Sequence, residues 1–151
     1  MPKRFVHAGP ALLIYLLGLV AIPALADRKE DVGPYEIHYS VIPSGFLSPE
    51  VAQQYDITRS KAIGLMNISI LEKLENGGVK PVSGIVEGRI INDIRQERSL
   101  NFRKVEEGKA IYYLSQFQFG EGERLEYRAN IRPQGHDRSY PIRFTQGLFN
   151  D

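Results

Sequence analysis

Residues 46–71 read FLSPEVAQQYDITRSKAIGLMNISIL, and they decide how the rest of the chain is organised. Ser48 can cap a helix, and Pro49 suits the first helical position because its missing N–H would have no partner there. The run to Asp56 allows only about two turns, so the helix needs packing to be stable. Apolar and polar side chains then alternate over residues 64–71, as in a half-buried strand. The stretch therefore predicts a short docked helix followed by a strand.

Strand patterns occupy most of the chain on both sides of this stretch. Upstream, the charged residues 27–31 are predicted to fray, and residues 35–41 alternate apolar and polar side chains. Downstream, turns rich in Gly, Pro and Asn separate further strand patterns at residues 79–94, 96–105, 109–119, 125–131 and 140–144. The sequence predicts an all-β fold, an antiparallel β-sandwich of immunoglobulin-like type with about seven strands and one short helix. A small β-barrel is the alternative.

Two of these patterns also predict positions within a sheet. The run from Ala110 to Phe119 is uncharged and would promote aggregation at an exposed edge, so it is predicted to form a central strand. Pro81 lacks the N–H that a strand ladder needs. The segment around residues 79–85 is therefore predicted to lie at an edge, where a partner strand can add.

The first 26 residues have the three parts of a secretory signal peptide: a basic start, an apolar run over residues 11–22, and the small-x-small pattern Ala24-Leu25-Ala26. We predict that residues 1–26 are cleaved off and that residues 27–151 form a single periplasmic domain. No stable membrane anchor is expected after cleavage, because a spanning helix needs about 20 apolar residues.

The amino-acid composition excludes some classes of partner and of catalysis. The chain has 19 basic and 18 acidic residues and no cysteine. Cleavage of the leader leaves 17 basic against 18 acidic residues, so nucleic acid is not an expected partner. The lack of cysteine excludes disulfides and thiol catalysis, and in an exported domain it favours a bacterial periplasm.

The sequence shows no catalytic constellation, and we predict a protein that is not an enzyme and binds no cofactor. The alternative is a metal site using His38, His136 and Asp137, but no metal-ligand spacing supports it, so no metal is predicted. The charged ladders Glu87/Arg89 and Arg124/Glu126/Arg128 are interpreted as solvated strand faces, with a binding surface as the alternative.

Arg59, Ser60 and Lys61 are the candidate binding residues. They form a polar connector that the preceding helix and the following strand hold in place. Burial does not explain them, whereas it explains the neighbouring Phe46 and Tyr55.

Three runs carry a family resemblance: PYEIHYSVIPSGFLSPEVAQQYDITRSKAIGLMNISIL at residues 34–71, AIYYLSQFQF at 110–119 and YPIRFTQGLF at 140–149. They resemble an uncharacterised family of small exported gammaproteobacterial proteins, domain of unknown function 4426. The resemblance implies a bacterial periplasmic setting and a single domain, and it carries over no activity or site.

Two hypotheses for function follow. The first is a non-enzymatic module that binds a protein or another component of the bacterial cell envelope. The second is a small-molecule binder or unrecognised enzyme with a pocket near Arg59 and Lys61. The first is favoured because the surface is neutral and mixed and no catalytic group stands out.

Overall fold

The computed structural model describes residues 27–151, so the predicted signal peptide, residues 1–26, lies outside the described residues. Ten strands form: β1 Arg28–Val32, β2 Tyr35–Pro43, β3 Ile63–Lys73, β4 Val79–Pro81, β5 Gly84–Ile91, β6 Glu97–Leu100, β7 Arg103–Glu107, β8 Ala110–Gln118, β9 Arg124–Pro133 and β10 Tyr140–Gly147. Between β2 and β3 lie a 3-10 turn, Ser44–Phe46, and the helix α1, Pro49–Gln54.

The strands form two antiparallel sheets. The six-stranded sheet has the order β1-β2-β3-β8-β7, with β4 paired to the last residues of β3. The four-stranded sheet has the order β10-β9-β5-β6. The prediction of an antiparallel sandwich is confirmed, and the barrel alternative is wrong because residues 27–151 close no barrel.

The count of about seven strands was too low, for two physical reasons. The predicted fraying of residues 27–31 is wrong from Arg28 onward, because β1 pairs along its whole length with β2. The two long patterns at 79–94 and 96–105 each break where the chain crosses between the sheets. In the first pattern, β4 belongs to the six-stranded sheet and β5 to the four-stranded sheet. In the second pattern, β6 belongs to the four-stranded sheet and β7 to the six-stranded sheet. An uninterrupted period-two pattern does not reveal such a crossing.

The main core lies between the sheets, where every strand except β1, β4 and β7 contributes at least one buried apolar side chain. Tyr127 of β9 is central to it. Its ring stacks on Phe144 with a centroid separation of 4.8 Å and meets Phe117 edge-on at 5.7 Å. Aromatic pairs of this geometry add to the apolar burial, so they stabilise a sandwich that has no disulfide.

The central position predicted for residues 109–119 is confirmed, because β8 pairs with β3 on one side and β7 on the other. The predicted edge position of Pro81 also agrees with the structure, in which β4 pairs with β3 alone. None of the helices formed by residues 27–151 has the length and apolar character of a membrane span.

The helix α1 and the residues on either side of it pack on the outer face of the six-stranded sheet. Ser48 caps α1, since its hydroxyl accepts the Val51 N–H at 3.2 Å. Six residues are too few for a stable isolated helix. A second buried cluster therefore holds the helix on the sheet; it consists of Ile42, Leu47, Ala52, Tyr55, Ile57, Leu65 and Leu114.

Candidate functional site

The predicted binding residues Arg59 and Ser60 are held by contacts with the protein itself. The Arg59 Nε donates to the Leu47 carbonyl at 2.7 Å, and its Nη2 donates to the Gly45 carbonyl at 3.3 Å. The Ser60 N–H donates to the Ser44 hydroxyl at 3.0 Å, and that hydroxyl donates to the Ser60 carbonyl at 3.2 Å. These bonds fasten the connector to the 3-10 turn, so they account for both residues structurally.

Lys61 lies beside them and is exposed. Its backbone carbonyl accepts a hydrogen bond from Asn150 Nδ2 at 2.9 Å. These contacts show that Arg59 and Ser60 have a structural role. A role of Arg59, Ser60 and Lys61 in binding stays a prediction.

His38 and His136 contact different residues. His38 Nε2 lies 3.1 Å from Glu36 Oε2 on the outer face of the six-stranded sheet, and this contact lowers the pKa of Glu36. His136 packs edge-on against Tyr35 with ring centroids 5.1 Å apart. Within residues 27–151, no three His, Asp or Glu side chains come together as a metal-ligand set.

A different group of residues emerges on the outer face of the four-stranded sheet. The register places Arg143 of β10 directly opposite Arg128 of β9, and Arg128 directly opposite Arg89 of β5. The three arginines thus form one row across three adjacent strands. Side chains opposite each other on one sheet face have Cβ atoms only about 5 Å apart, and like charges in that position are destabilising.

The row belongs to a larger basic surface, which we call the arginine face. Six arginines and three glutamates belong to it, eight of them at outward strand positions, while Arg95 reaches in from the turn after β5. The members are Arg89, Arg95, Arg124, Arg128, Arg132 and Arg143, with Glu87, Glu97 and Glu126.

Glu126 holds two arginines of the row in place. Arg128 Nε contacts the Glu126 Oε1, Arg143 Nε lies 3.1 Å from the same oxygen, and Arg95 Nη1 lies 3.6 Å from the other oxygen. The hydrogen bond from Arg128 and the charges of Arg128 and Arg143 lower the pKa of Glu126, which keeps this carboxylate ionised. Only 15% of its side chain is exposed, against 66% for Arg143.

This arrangement leaves the outer ends of two guanidinium groups available. Arg128 and Arg143 reach Glu126 through Nε, and within residues 27–151 their Nη groups make no hydrogen bond. Arg89 is half exposed, and its Nη1 lies 3.7 Å from Glu97. A guanidinium fork matches the geometry of phosphate and carboxylate oxygens. The row can therefore bind an anion without losing its contacts to Glu126.

A cleft of about 450 Å³ continues the face beyond Arg132. Arg132 and the exposed Ile85 are opposite each other in the register, and both line the cleft together with residues 134–137. His136 and Asp137, two residues of the alternative metal site, also line this cleft. The cleft places one apolar side chain beside the arginines.

Sequence reasoning identified the ladders of β5 and β9 but missed the row. Arg143 belongs to a third strand, and nothing within one strand shows which residues of the next strand lie opposite. The available signal was the recurrence of arginine at every fourth position of β9, at Arg124, Arg128 and Arg132, with Glu126 on the same strand face.

Solved structures with the same fold are known. A crystal structure of a DUF4426 family protein from Pseudomonas aeruginosa PAO1 has 32% sequence identity and a TM-score of 0.71, covering 83% of this chain and 96% of that chain. A copper-bound variant of FetP from uropathogenic Escherichia coli strain F11 has 9% identity and a TM-score of 0.56, covering 82% and 95%. The structure of the same FetP, as isolated after recombinant expression in the E. coli periplasm, has 9% sequence identity and a TM-score of 0.54, covering 83% of this chain and 95% of that chain.

At 9% identity the FetP structures show a shared fold alone. A comparison with curated proteins finds no match. The sequence model described as Domain of unknown function (DUF4426) matches residues 29–151, which confirms the resemblance seen in the sequence. The chain therefore belongs to the DUF4426 family.

Proposed function

We propose that the chain is an exported, non-enzymatic binding module of the bacterial cell envelope, and that it binds an anionic component through the arginine face. The observation that carries the proposal is the row Arg143, Arg128 and Arg89 in direct cross-strand register. Such a row works against folding because it juxtaposes like charges. Features that oppose local stability are concentrated at functional sites.

The sheet edges are a poorer place for a partner. β1 and β7 carry charged side chains at most positions, and β6 is only four residues long. β4 has three residues and ends at Pro81, and β10, the eight-residue edge of the four-stranded sheet, contains Pro141. Short, charged or proline-bearing edges oppose the addition of another strand. The open face therefore supports binding better than the strand addition predicted around residues 79–85.

Two further observations bear on the cellular setting and on metals. The signal-peptide pattern of residues 1–26 supports export, and FetP, which shares the fold, was recombinantly expressed in the periplasm of E. coli. One FetP structure is described as copper-bound, but residues 27–151 of this chain bring together no metal-ligand set. We therefore do not extend copper binding to this protein.

Export and binding are tested in one experiment on the full chain, expressed with a C-terminal tag in a gammaproteobacterial host. N-terminal sequencing of the exported protein is expected to begin at Asp27, and a protein beginning at Met1 contradicts cleavage. Osmotic-shock fractions are then compared at low and high salt. Wild type is expected to stay with the envelope at low salt and to be released at high salt, because salt screens surface charges.

Two triple variants complete the test. Arg89→Gln/Arg128→Gln/Arg143→Gln is expected to appear in the soluble periplasmic fraction at low salt. Lys61→Gln/Lys80→Gln/Lys109→Gln removes the same charge from exposed positions outside the arginine face and is expected to behave as wild type. Equal release of all three proteins contradicts the proposed function. Loss of envelope retention in the lysine variant alone favours a site near Lys61 instead.

A further inference from the structure

We infer that the arginine face docks on an anionic lipid surface. The inference rests on the proposed function and names the partner. It follows from three properties of the described residues: how charge is divided over the molecule, where exposed apolar side chains lie, and which guanidinium groups are available.

Charge is divided unevenly. Residues 27–151 contain 17 basic and 18 acidic side chains, and the arginine face holds six of the basic and three of the acidic ones. The remaining surface therefore has an excess of acidic over basic residues, although the domain as a whole is nearly neutral. In the field of a negatively charged membrane, such a molecule turns its arginine face inward and its acidic side away.

Exposed isoleucines stand at both ends of β5, the strand that carries Arg89. Ile85 at its start is 49% exposed and lies beside Arg132 on the same face. Ile94, in the turn after its end, is 73% exposed, and the next residue, Arg95, reaches Glu126. Apolar side chains beside basic ones gain by entering the headgroup region of a bilayer. A dissolved anion cannot bury these apolar side chains, so their position favours a lipid surface over free phosphate as the partner.

The available guanidinium ends suit lipid phosphates. Arg128 and Arg143 are positioned through Nε by Glu126, with their Nη groups free of hydrogen bonds to residues 27–151. Adjacent strands lie about 4.8 Å apart, so the three-arginine row offers several guanidinium groups within the width of one or two headgroups. The contact is electrostatic and reversible, because it depends on surface charge and a few exposed side chains.

The test is co-sedimentation of the purified exported protein with vesicles. One set contains equal parts of phosphatidylglycerol and phosphatidylcholine, and the other contains phosphatidylcholine alone. Wild type is expected to bind the anionic vesicles at low salt and to be released by salt. The triple variant Arg89→Gln/Arg128→Gln/Arg143→Gln is expected to lose affinity for the anionic vesicles by a factor of about ten or more, since each basic residue near such a surface adds to the affinity.

Three controls keep the inference falsifiable. Arg89→Lys/Arg128→Lys/Arg143→Lys retains the charge and is expected to keep most of the binding, which separates lost charge from lost fold. Lys80→Gln/Lys104→Gln/Lys109→Gln removes three exposed positive charges outside the arginine face and is expected to bind as wild type. Ile85→Ser is expected to weaken vesicle binding without changing the response to inorganic phosphate, which is measured by calorimetry.

Several outcomes overturn the inference. They are equal binding to both vesicle types, an equal loss in the lysine variant, or binding of inorganic phosphate without binding of vesicles. If vesicles are not bound but the arginine variant still leaves the envelope fraction, the proposed function stands and the partner is a different anionic component.

Discussion

The hydroxyl of Tyr113 binds both backbone groups of Gly84. It accepts the Gly84 N–H at 2.8 Å and donates to the Gly84 carbonyl at 3.0 Å. Tyr113 belongs to the central strand β8 of one sheet, and Gly84 begins β5 of the other. The pair is therefore a polar tie across the apolar core, placed where the chain has just crossed between the sheets. It satisfies two backbone groups that the start of β5 would otherwise leave without a partner.

Tyr113→Phe should destabilise the protein by about 1–3 kcal/mol, because it leaves a part-buried N–H and carbonyl unpaired. Urea unfolding measures the change, which should appear in the midpoint with an unchanged m-value. The matched control is Tyr127→Phe. The Tyr127 hydroxyl is buried and has no hydrogen-bond partner within residues 27–151, so its removal should leave the free energy of unfolding unchanged or raise it. Equal losses in the two variants would show that the tie to Gly84 contributes nothing.

Gly84→Ala should be destabilising by about 1–3 kcal/mol, the usual range for forced overpacking. A Cβ at this position would lie 2.6 Å from the Arg132 carbonyl oxygen and 2.7 Å from Ile70 Cδ1. Backbone on one side and a core side chain on the other cannot both move away. Gly45→Ala is the control, because its Cβ would meet nothing closer than 3.8 Å. Thermal unfolding should show a lowered Tm for the first variant and an unchanged one for the second.

Arg59→Gln should lower the stability of the docked segment, since the guanidinium bonds the carbonyls of Leu47 and Gly45. Hydrogen–deuterium exchange over residues 44–60 should rise in Arg59→Gln and stay at the wild-type level in Lys61→Gln, whose side chain is exposed. If exchange does not change in Arg59→Gln, the structural explanation of this residue is wrong, and the predicted binding part of Arg59 gains support.

The fold was largely predictable because its signals are local. Period-two alternation identified the inward side chains of β2, β3, β8 and β9, and Ser48-Pro49 identified the start of α1. The crossings at residues 82–83 and 101–102 were not predictable, since a strand pattern reads the same in either sheet. The Tyr113–Gly84 pair joins residues 29 apart in different sheets. Alternation predicted that Tyr113 points inward but not what its hydroxyl would meet.

The candidate site was less predictable for a related reason. Arg89, Arg128 and Arg143 become neighbours only through the pairing register of three strands. Turn geometry and the inward pattern of each strand set that register jointly. Residues 59–61 are predicted as a binding site because three polar residues are consecutive in the sequence. In the structure, two of the three are hydrogen-bonded to residues 44–47.

Glu126 should make the stability of the protein sensitive to mild acid. Arg128 and Arg143 lower its pKa from an ordinary value of 4.5. A carboxyl group with a lowered pKa in the folded state binds its proton more readily when the chain is unfolded. Its contribution to stability is therefore complete above about pH 4.5 and is lost as the pH falls through the lowered folded value. Wild type should lose free energy of unfolding over this window, and urea unfolding at a series of pH values measures the loss.

Glu126→Gln should be less stable than wild type at neutral pH and should approach it as the pH falls below about 4, because protonated wild type has also lost the charge. Glu87→Gln is the control on the same face: Glu87 is exposed and forms no ion pair within residues 27–151, so its stability should follow wild type at every pH. A constant difference between wild type and Glu126→Gln down to acid pH would mean that this carboxylate is not what holds Arg128 and Arg143 in place. The arrangement of the arginine row, including the orientation of its Nη groups, would then need another cause.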